Sequence, residues 1–238
     1  MKKTVLFVFV LCLCFTVFGG SAIAESAEAE APATEKPAAE MAAEELYQTG
    51  LEAFDAEDYG KAMEYYLQAA DAGNAEGWRS AGYLYDYGLG VEQSHEKAFE
   101  YYQRAADQGD AKAWYNIAYS YFYGEGIEQD YGKALEYYQK AADLGDTWAL
   151  CNLGAMYQDG VGVEQDYAKA VEYYTLAAEQ GEPAGLFGLG ECYYLGQGLE
   201  KDLDKATEWY RKALEAGFEP DETDQAHLKE VLGDEYQP

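Results

Sequence analysis

From residue 59 onward, small and aromatic residues return on one helical face at a fixed interval of 36 residues. Lys-Ala occurs at Lys61-Ala62, Lys97-Ala98, Lys133-Ala134, Lys169-Ala170 and Lys205-Ala206. An aromatic pair follows at Tyr65-Tyr66, Tyr101-Tyr102, Tyr137-Tyr138, Tyr173-Tyr174 and Trp209-Tyr210, then small residues such as Ala105-Ala106. Counted from the alanine, offsets +4, +7 and +8 lie on one side of an α-helix. Gly73, Gly109, Gly145, Gly181 and Gly217 stop these helices, because glycine takes the left-handed conformation a helix end favours. Asp58, Ser94, Asp130, Asp166 and Asp202 precede them and share only a short side-chain oxygen, which is what an N-cap requires.

A second helix is predicted upstream in each unit. In the third unit it covers Ala111 to Tyr123, with Ala113, Ile117 and Tyr121 as its buried stripe. Gly82, Ala118, Gly154 and Gly190 form a small-residue slot where the neighbouring helix approaches closely. Mid-helix glycine costs about 1 kcal/mol against alanine, so close packing must compensate. The loop between the two helices carries Gly88-x-Gly90, Gly124-x-Gly126, Gly160-x-Gly162 and Gly196-x-Gly198, then an aliphatic residue (Val91, Ile127, Val163, Leu199) expected to be buried. The first unit lacks four of these loop residues. Such a period means stacked modules that share a core with their neighbours.

These slots resemble the Sel1-like repeat, best in 111–146 and 147–182 and clearly in 75–110 and 183–218. The first unit, 41–74, looks like a tetratricopeptide repeat. The resemblance implies an all-α, right-handed α-solenoid of antiparallel helix pairs, used mostly as an adaptor for protein partners. Residues 219–238 read as a capping helix and tail, with Leu228, Val231 and Leu232 covering the last unit and Asp224, Glu230 and Asp234 facing water.

The N-terminus has a different character. Lys2 and Lys3 precede an apolar run from Val5 to Phe18, too short to span a bilayer comfortably, and Ala22-Ile23-Ala24 is a small-x-small cleavage site. Residues 1–24 therefore read as a bacterial signal peptide, in preference to an uncleaved anchor, and imply a periplasmic or secreted protein without membrane insertion after cleavage. Leu11 and Leu13 before Cys12 and Cys14 argue against a lipoprotein. Residues 25–40, rich in Ala, Glu and Pro, read as a disordered tether.

The net charge of −29, or −31 without Lys2 and Lys3, argues against nucleic acid and anionic membrane surfaces. It suits solubility and a basic partner. Beyond the signal only Cys151 and Cys192 remain. Their slots differ by five helical positions, about 7.5 Å of rise and about 140° of rotation. A bridge needs Cα atoms within about 7 Å, so two separate thiols are expected.

Catalytic motifs are absent from the pattern. Ser94-x-x-Lys97 has the form of a serine-enzyme motif, but Ser94 stands in a capping slot and Lys97 is the recurrent Lys. His95 occupies the slot of Tyr131 and Tyr167 and reads as a packing residue. The Gly-x-Gly loops lack the Lys-Ser/Thr of a phosphate loop, and Asp159-Gly160 lacks the alternating acids of a calcium loop. No cofactor and no metal are expected.

The resemblance to tetratricopeptide units places the first helix of each pair on a concave face. The residues it points to are Arg79, Tyr83 and Tyr87; Tyr115, Asn116, Tyr119, Phe122 and Tyr123; Trp148, Asn152 and Asp159; and Phe187, Glu191 and Tyr194. Tyrosine and tryptophan give contact area at modest entropic cost, and Asn116 and Asn152 suit hydrogen bonds to an extended backbone. A protein or peptide partner of basic or aromatic character fits this face. The alternatives are a cell-wall-directed hydrolase and a secreted host-interacting effector.

Overall fold

The computed structural model describes residues 38–233 and Tyr236. The signal-peptide reading, most of the proposed tether and Asp234 lie outside the described residues. Eleven α-helices and no strand occur among those residues. The first helices of the five units are α1 (Ala38–Asp55), α3 (Ala75–Tyr87), α5 (Ala111–Tyr123), α7 (Thr147–Asp159) and α9 (Pro183–Leu195). The second helices are α2 (Tyr59–Asp71), α4 (His95–Asp107), α6 (Tyr131–Asp143), α8 (Tyr167–Glu179) and α10 (Leu203–Glu215). The last helix, α11, is Glu222–Leu232. Each helix packs on the one before and the one after, which makes an α-solenoid. The first helix begins at Ala38, so the last three residues of the expected tether are helical.

The capping chemistry follows the pattern. Asp58, Ser94, Asp130, Asp166 and Asp202 each accept a hydrogen bond from a backbone N–H in the first turn of the second helix. Ser94 Oγ takes the Lys97 N–H, and the Lys97 ammonium lies over the Tyr85 ring, so this pair has no nucleophilic geometry. The periodic glycines follow with positive φ, between 77° and 100°.

The small-residue slot is filled by the second tyrosine of each pair. A Cβ on Gly154 would lie 2.6 Å from Tyr174 Cε1, and one on Gly82 would lie 2.8 Å from Tyr102 Cε1. Tyr66, Tyr102, Tyr138, Tyr174 and Tyr210 are accordingly buried. Val91, Ile127, Val163 and Leu199 are half-buried rather than buried, because the loops that carry them lie at the edge of the helix pair.

The Gly-x-Gly loop of one unit rests on the start of the second helix of the unit before it. A Cβ on Gly126 would meet the His95 carbonyl at 2.3 Å, and one on Gly162 would meet the Tyr131 carbonyl at 2.7 Å. The loop is fastened from within as well: Gln93, Gln129 and Gln165 each donate from Nε2 to a carbonyl at 2.7 Å, those of Asp86, Phe122 and Gln158.

Cys151 and Cys192 are free, as the register argument requires. Burial raises both thiols, that of Cys192 to about 12, which leaves little thiolate for chemistry.

Candidate functional site

The first helices lie side by side, and their side chains touch from unit to unit. Tyr47 and Ser80 share a hydrogen bond of 3.3 Å, and Asn152 Nδ2 donates to Tyr115 Oη at 3.4 Å. Along this face runs an aromatic strip. Phe54 meets Tyr83 edge-on at 6.1 Å between ring centres, and Tyr83 and Tyr87 pair at 4.4 Å. One unit on, Tyr119 and Tyr123 pair at the same 4.4 Å. The spacing of four residues puts each pair on one side of its helix. Tyr87 is 55% exposed; Tyr83, Tyr119 and Tyr123 are half-buried. Burial, followed by the charge of Glu125, raises the hydroxyls of Tyr119 and Tyr123 above the ordinary tyrosine range. Both stay protonated donors at neutral pH.

Beside the strip is a second aromatic group. Trp148 meets Tyr115 edge-on at 5.9 Å, and Asn152 Nδ2 also donates to the Trp148 carbonyl at 3.0 Å. Asn116 and Asp159 are half-buried on the same two helices, Asp159 as the last residue of α7. Arg79 is engaged inside the fold: its Nε donates to Asp110 Oδ2 at 2.8 Å, and Asp110 in turn caps α5. The pair ties unit two to unit three, so Arg79 acts as a fastening and not as an open groove cation.

Four other expected contact residues require correction. Phe122 is buried, against Tyr123 at 4.9 Å and Tyr131 at 5.0 Å. Phe187 is 1% exposed, stacked on Phe218 at 4.3 Å. Glu191 is buried and accepts from Tyr210 Oη, with His227 Nδ1 at 3.0 Å from both its oxygens. Tyr194 is buried and donates to Glu230 Oε2 at 2.7 Å. The reason is α11. Glu191–His227 and Tyr194–Glu230 are both separated by 36 residues, so α11 stands where the first helix of a sixth unit would stand. It covers Glu191 and Tyr194 of the fifth unit's first helix. Asp224, in the first turn of α11 and expected to face water, is buried and forms a capping box with Asp221.

One group of chemically active side chains borders the strip. Asp86 is the penultimate residue of α3, His95 opens α4 and Glu125 lies in the loop after α5. His95 Nδ1 is 2.7 Å from Asp86 Oδ1, and Tyr102 Oη donates to Asp86 Oδ2 at 3.1 Å. Ligand atoms of all three residues lie within 4.8 Å of one another. The hydrogen bond to Asp86 raises the His95 imidazole above its ordinary value. Burial, and then the Asp86 charge, raise the Glu125 carboxyl. His95 is therefore hydrogen-bonded to Asp86 rather than the packing residue its slot implied. Asp86 and Glu125 escaped the sequence reading because each looked like an unremarked surface acid. Their signal was the mismatch with the equivalent slots of the other units.

The Sel1 repeat pattern matches residues 37–74, 79–110, 111–146, 149–182 and 183–218. The first unit, expected to be nearer a tetratricopeptide repeat, is thus matched with the other four, although only three residues join α1 to α2. Among solved structures, the chain is similar to a Sel1 repeat protein from Oxalobacter formigenes, at 31% identity and a TM-score of 0.71, over 81% of this chain and 78% of that one. It is also similar to c5321, a protective antigen present in uropathogenic Escherichia coli strains, at 28% identity and a TM-score of 0.69, over 82% of this chain. It spans only 43% of the length of that protein. No curated protein matches the chain.

Proposed function

We propose that this chain, which belongs to the Sel1 repeat family, is an adaptor that holds an extended protein segment along the first helices of units two to four. Proteins built of these repeats are generally protein–protein interaction scaffolds. The observation that carries the reading is the aromatic strip of Tyr83, Tyr87, Tyr119 and Tyr123, part-exposed and flanked by Asp86 and Glu125. Rings of this kind supply anchoring area, and the carboxylates favour lysine or arginine in the guest. Asn152 gives its Nδ2 to Tyr115 and to the Trp148 carbonyl, and its amide oxygen suits a backbone N–H of that guest. The fifth unit takes no part, because α11 lies on it.

No described helix is long and apolar enough to cross a membrane. The basic start, the apolar run and the Ala22-Ile23-Ala24 site support export, so we place the adaptor in the periplasm or outside the cell.

The test is selection of displayed random peptides on the purified protein, followed by anisotropy titration of the enriched sequences. Peptides rich in aromatic and basic residues are expected. Tyr119→Ala should weaken their binding about tenfold, or ~1.4 kcal/mol, with the helical circular-dichroism signal unchanged. Equal binding by the variant and the parent, or no enrichment at all, would remove the groove from consideration.

A further inference from the structure

We infer that Asp86, His95 and Glu125 form a binding site for a divalent transition-metal ion of the zinc type, at the junction of units two and three. The three residues come from three separate places in the chain, and each departs from its repeat slot. One unit later the same positions are Phe122, Tyr131 and Val161; two units later they are Gln158, Tyr167 and Gln197. The structure shows that these are equivalent places. Phe122 and Tyr131 meet edge-on at 5.0 Å, where Asp86 and His95 form their ion pair. Gln158 Nε2 donates to Gln197 Oε1 at 2.9 Å, across the positions that Asp86 and Glu125 hold here. An apolar junction and an amide junction are therefore both compatible with the fold. At this one junction all three slots carry metal-ligating side chains instead.

A structural ion pair accounts for only two of the three. Asp86 and His95 already satisfy each other, and Glu125 brings a second carboxylate to within 4.8 Å of both. Two carboxylates so close repel each other, and a dication between them removes that repulsion. One imidazole and two carboxylates match the mixed nitrogen and oxygen ligation of zinc and its neighbours, and not the all-oxygen shell of calcium or magnesium. Zinc bonds of about 2.0–2.2 Å put tetrahedral ligand atoms roughly 3.4 Å apart. The imidazole and Asp86 would open slightly from 2.7 Å, and Glu125 would close from at most 4.8 Å. A fourth position is left for water or a guest's side chain.

The surrounding fold holds these side chains in place. Tyr102, buried in the core, donates to Asp86 Oδ2 and leaves Oδ1 for an ion. Gln93 fastens the Asp86 carbonyl. Gly126 seats its loop directly on the His95 carbonyl, which brings the neighbouring Glu125 to the ring. Such outer partners orient metal ligands. The His95 side chain is 36% exposed and that of Asp86 18%, so an ion has a route in.

The experiment uses the full chain, stripped with a chelator and titrated with Co²⁺ at moderate salt, which screens loose binding to the acidic surface. One equivalent is expected to bind, with the visible d–d absorption of a four- or five-coordinate ion, and Zn²⁺ is expected to bleach it. His95→Ala and Glu125→Gln should each weaken binding at least tenfold. Gln197→Ala, at the equivalent amide junction, should leave it unchanged. Glu125 lies in a loop, so its amide variant tests the site even if His95→Ala disturbs α4. No absorption band, a band that survives Glu125→Gln, or displacement by Ca²⁺ as readily as by Zn²⁺ would overturn the assignment.

Discussion

The Lys97 ammonium lies 4.8 Å from the centre of the Tyr85 ring, on the outer side of the pair formed by α3 and α4. Tyr85 stacks in turn on Tyr101 at 5.4 Å. The same succession returns as Lys133, Tyr121 and Tyr137, and again as Lys169, Tyr157 and Tyr173. The recurrent Lys therefore has a packing role as well as a charge. The two tyrosines of each of these Tyr-Tyr pairs divide the work: the first stacks on the ring that the ammonium covers and the second fills the core.

Lys133→Gln is expected to lower stability by about 0.5–1 kcal/mol, since it removes a cation from above an aromatic face. Lys133→Arg should recover most of that loss. A double-mutant cycle with Tyr121→Leu in urea denaturation separates the ring contact from the general effect of charge. Zero coupling would show that the geometry carries no energy.

The second tyrosines are not equivalent. Tyr102 donates to Asp86, Tyr174 donates to Gln158 at 2.9 Å and Tyr210 donates to Glu191. For Tyr138 the residue equivalent to Asp86 and Gln158 is Phe122, which offers no acceptor, and the buried Tyr138 hydroxyl has no hydrogen-bond partner. Tyr138→Phe should therefore stabilise by about 1 kcal/mol, while Tyr174→Phe should destabilise by about 1 kcal/mol. Thermal melts of the two variants should move in opposite directions.

Gly154→Ala is expected to cost about 1–3 kcal/mol, because the new methyl would press on the Tyr174 ring at 2.6 Å. Gly60→Ala, also helical but with nothing within 4 Å, should be neutral or stabilising by a few tenths of a kcal/mol. Chemical denaturation of the pair separates close packing from helix propensity.

Asp224 gives the last helix a pH dependence. Burial, with the charges of Asp221 and Glu191 adding to it, pushes its carboxyl from 3.8 up to about 6. The folded chain therefore binds this proton more tightly than the unfolded chain. Its contribution favours folding below about pH 4 and is lost as pH rises through about 6. Asp224→Asn keeps an oxygen for the Asp221 N–H and abolishes the charge. The variant should melt a few degrees above the parent at pH 7 and level with it below about pH 4. Parallel melting curves at both pH values would count against this account.

The helices, their caps and their stops were legible because they depend on short-range chemistry. Asp130 caps α6 from the residue before it, and α5 has the span expected of it, Ala111–Tyr123, with Ala113, Ile117 and Tyr121 buried. The stacking was legible because a repeated apolar face demands a repeated partner. The fate of Glu191 and Tyr194 was not legible, since it depends on where α11 comes to rest, 36 residues downstream.

The module, its period and its boundaries thus follow from local chemistry, since all are set within one helical turn or by the face each helix must bury. Which slots stay open and which distant side chains meet depends on how the units pack against one another. Asp86, His95 and Glu125 are anonymous along the chain, and they become a cluster only when one unit's loop settles on the preceding unit's helix. That contact is a sum of rigid-body placements over two repeats, and no local pattern of hydrophobic and polar residues encodes it.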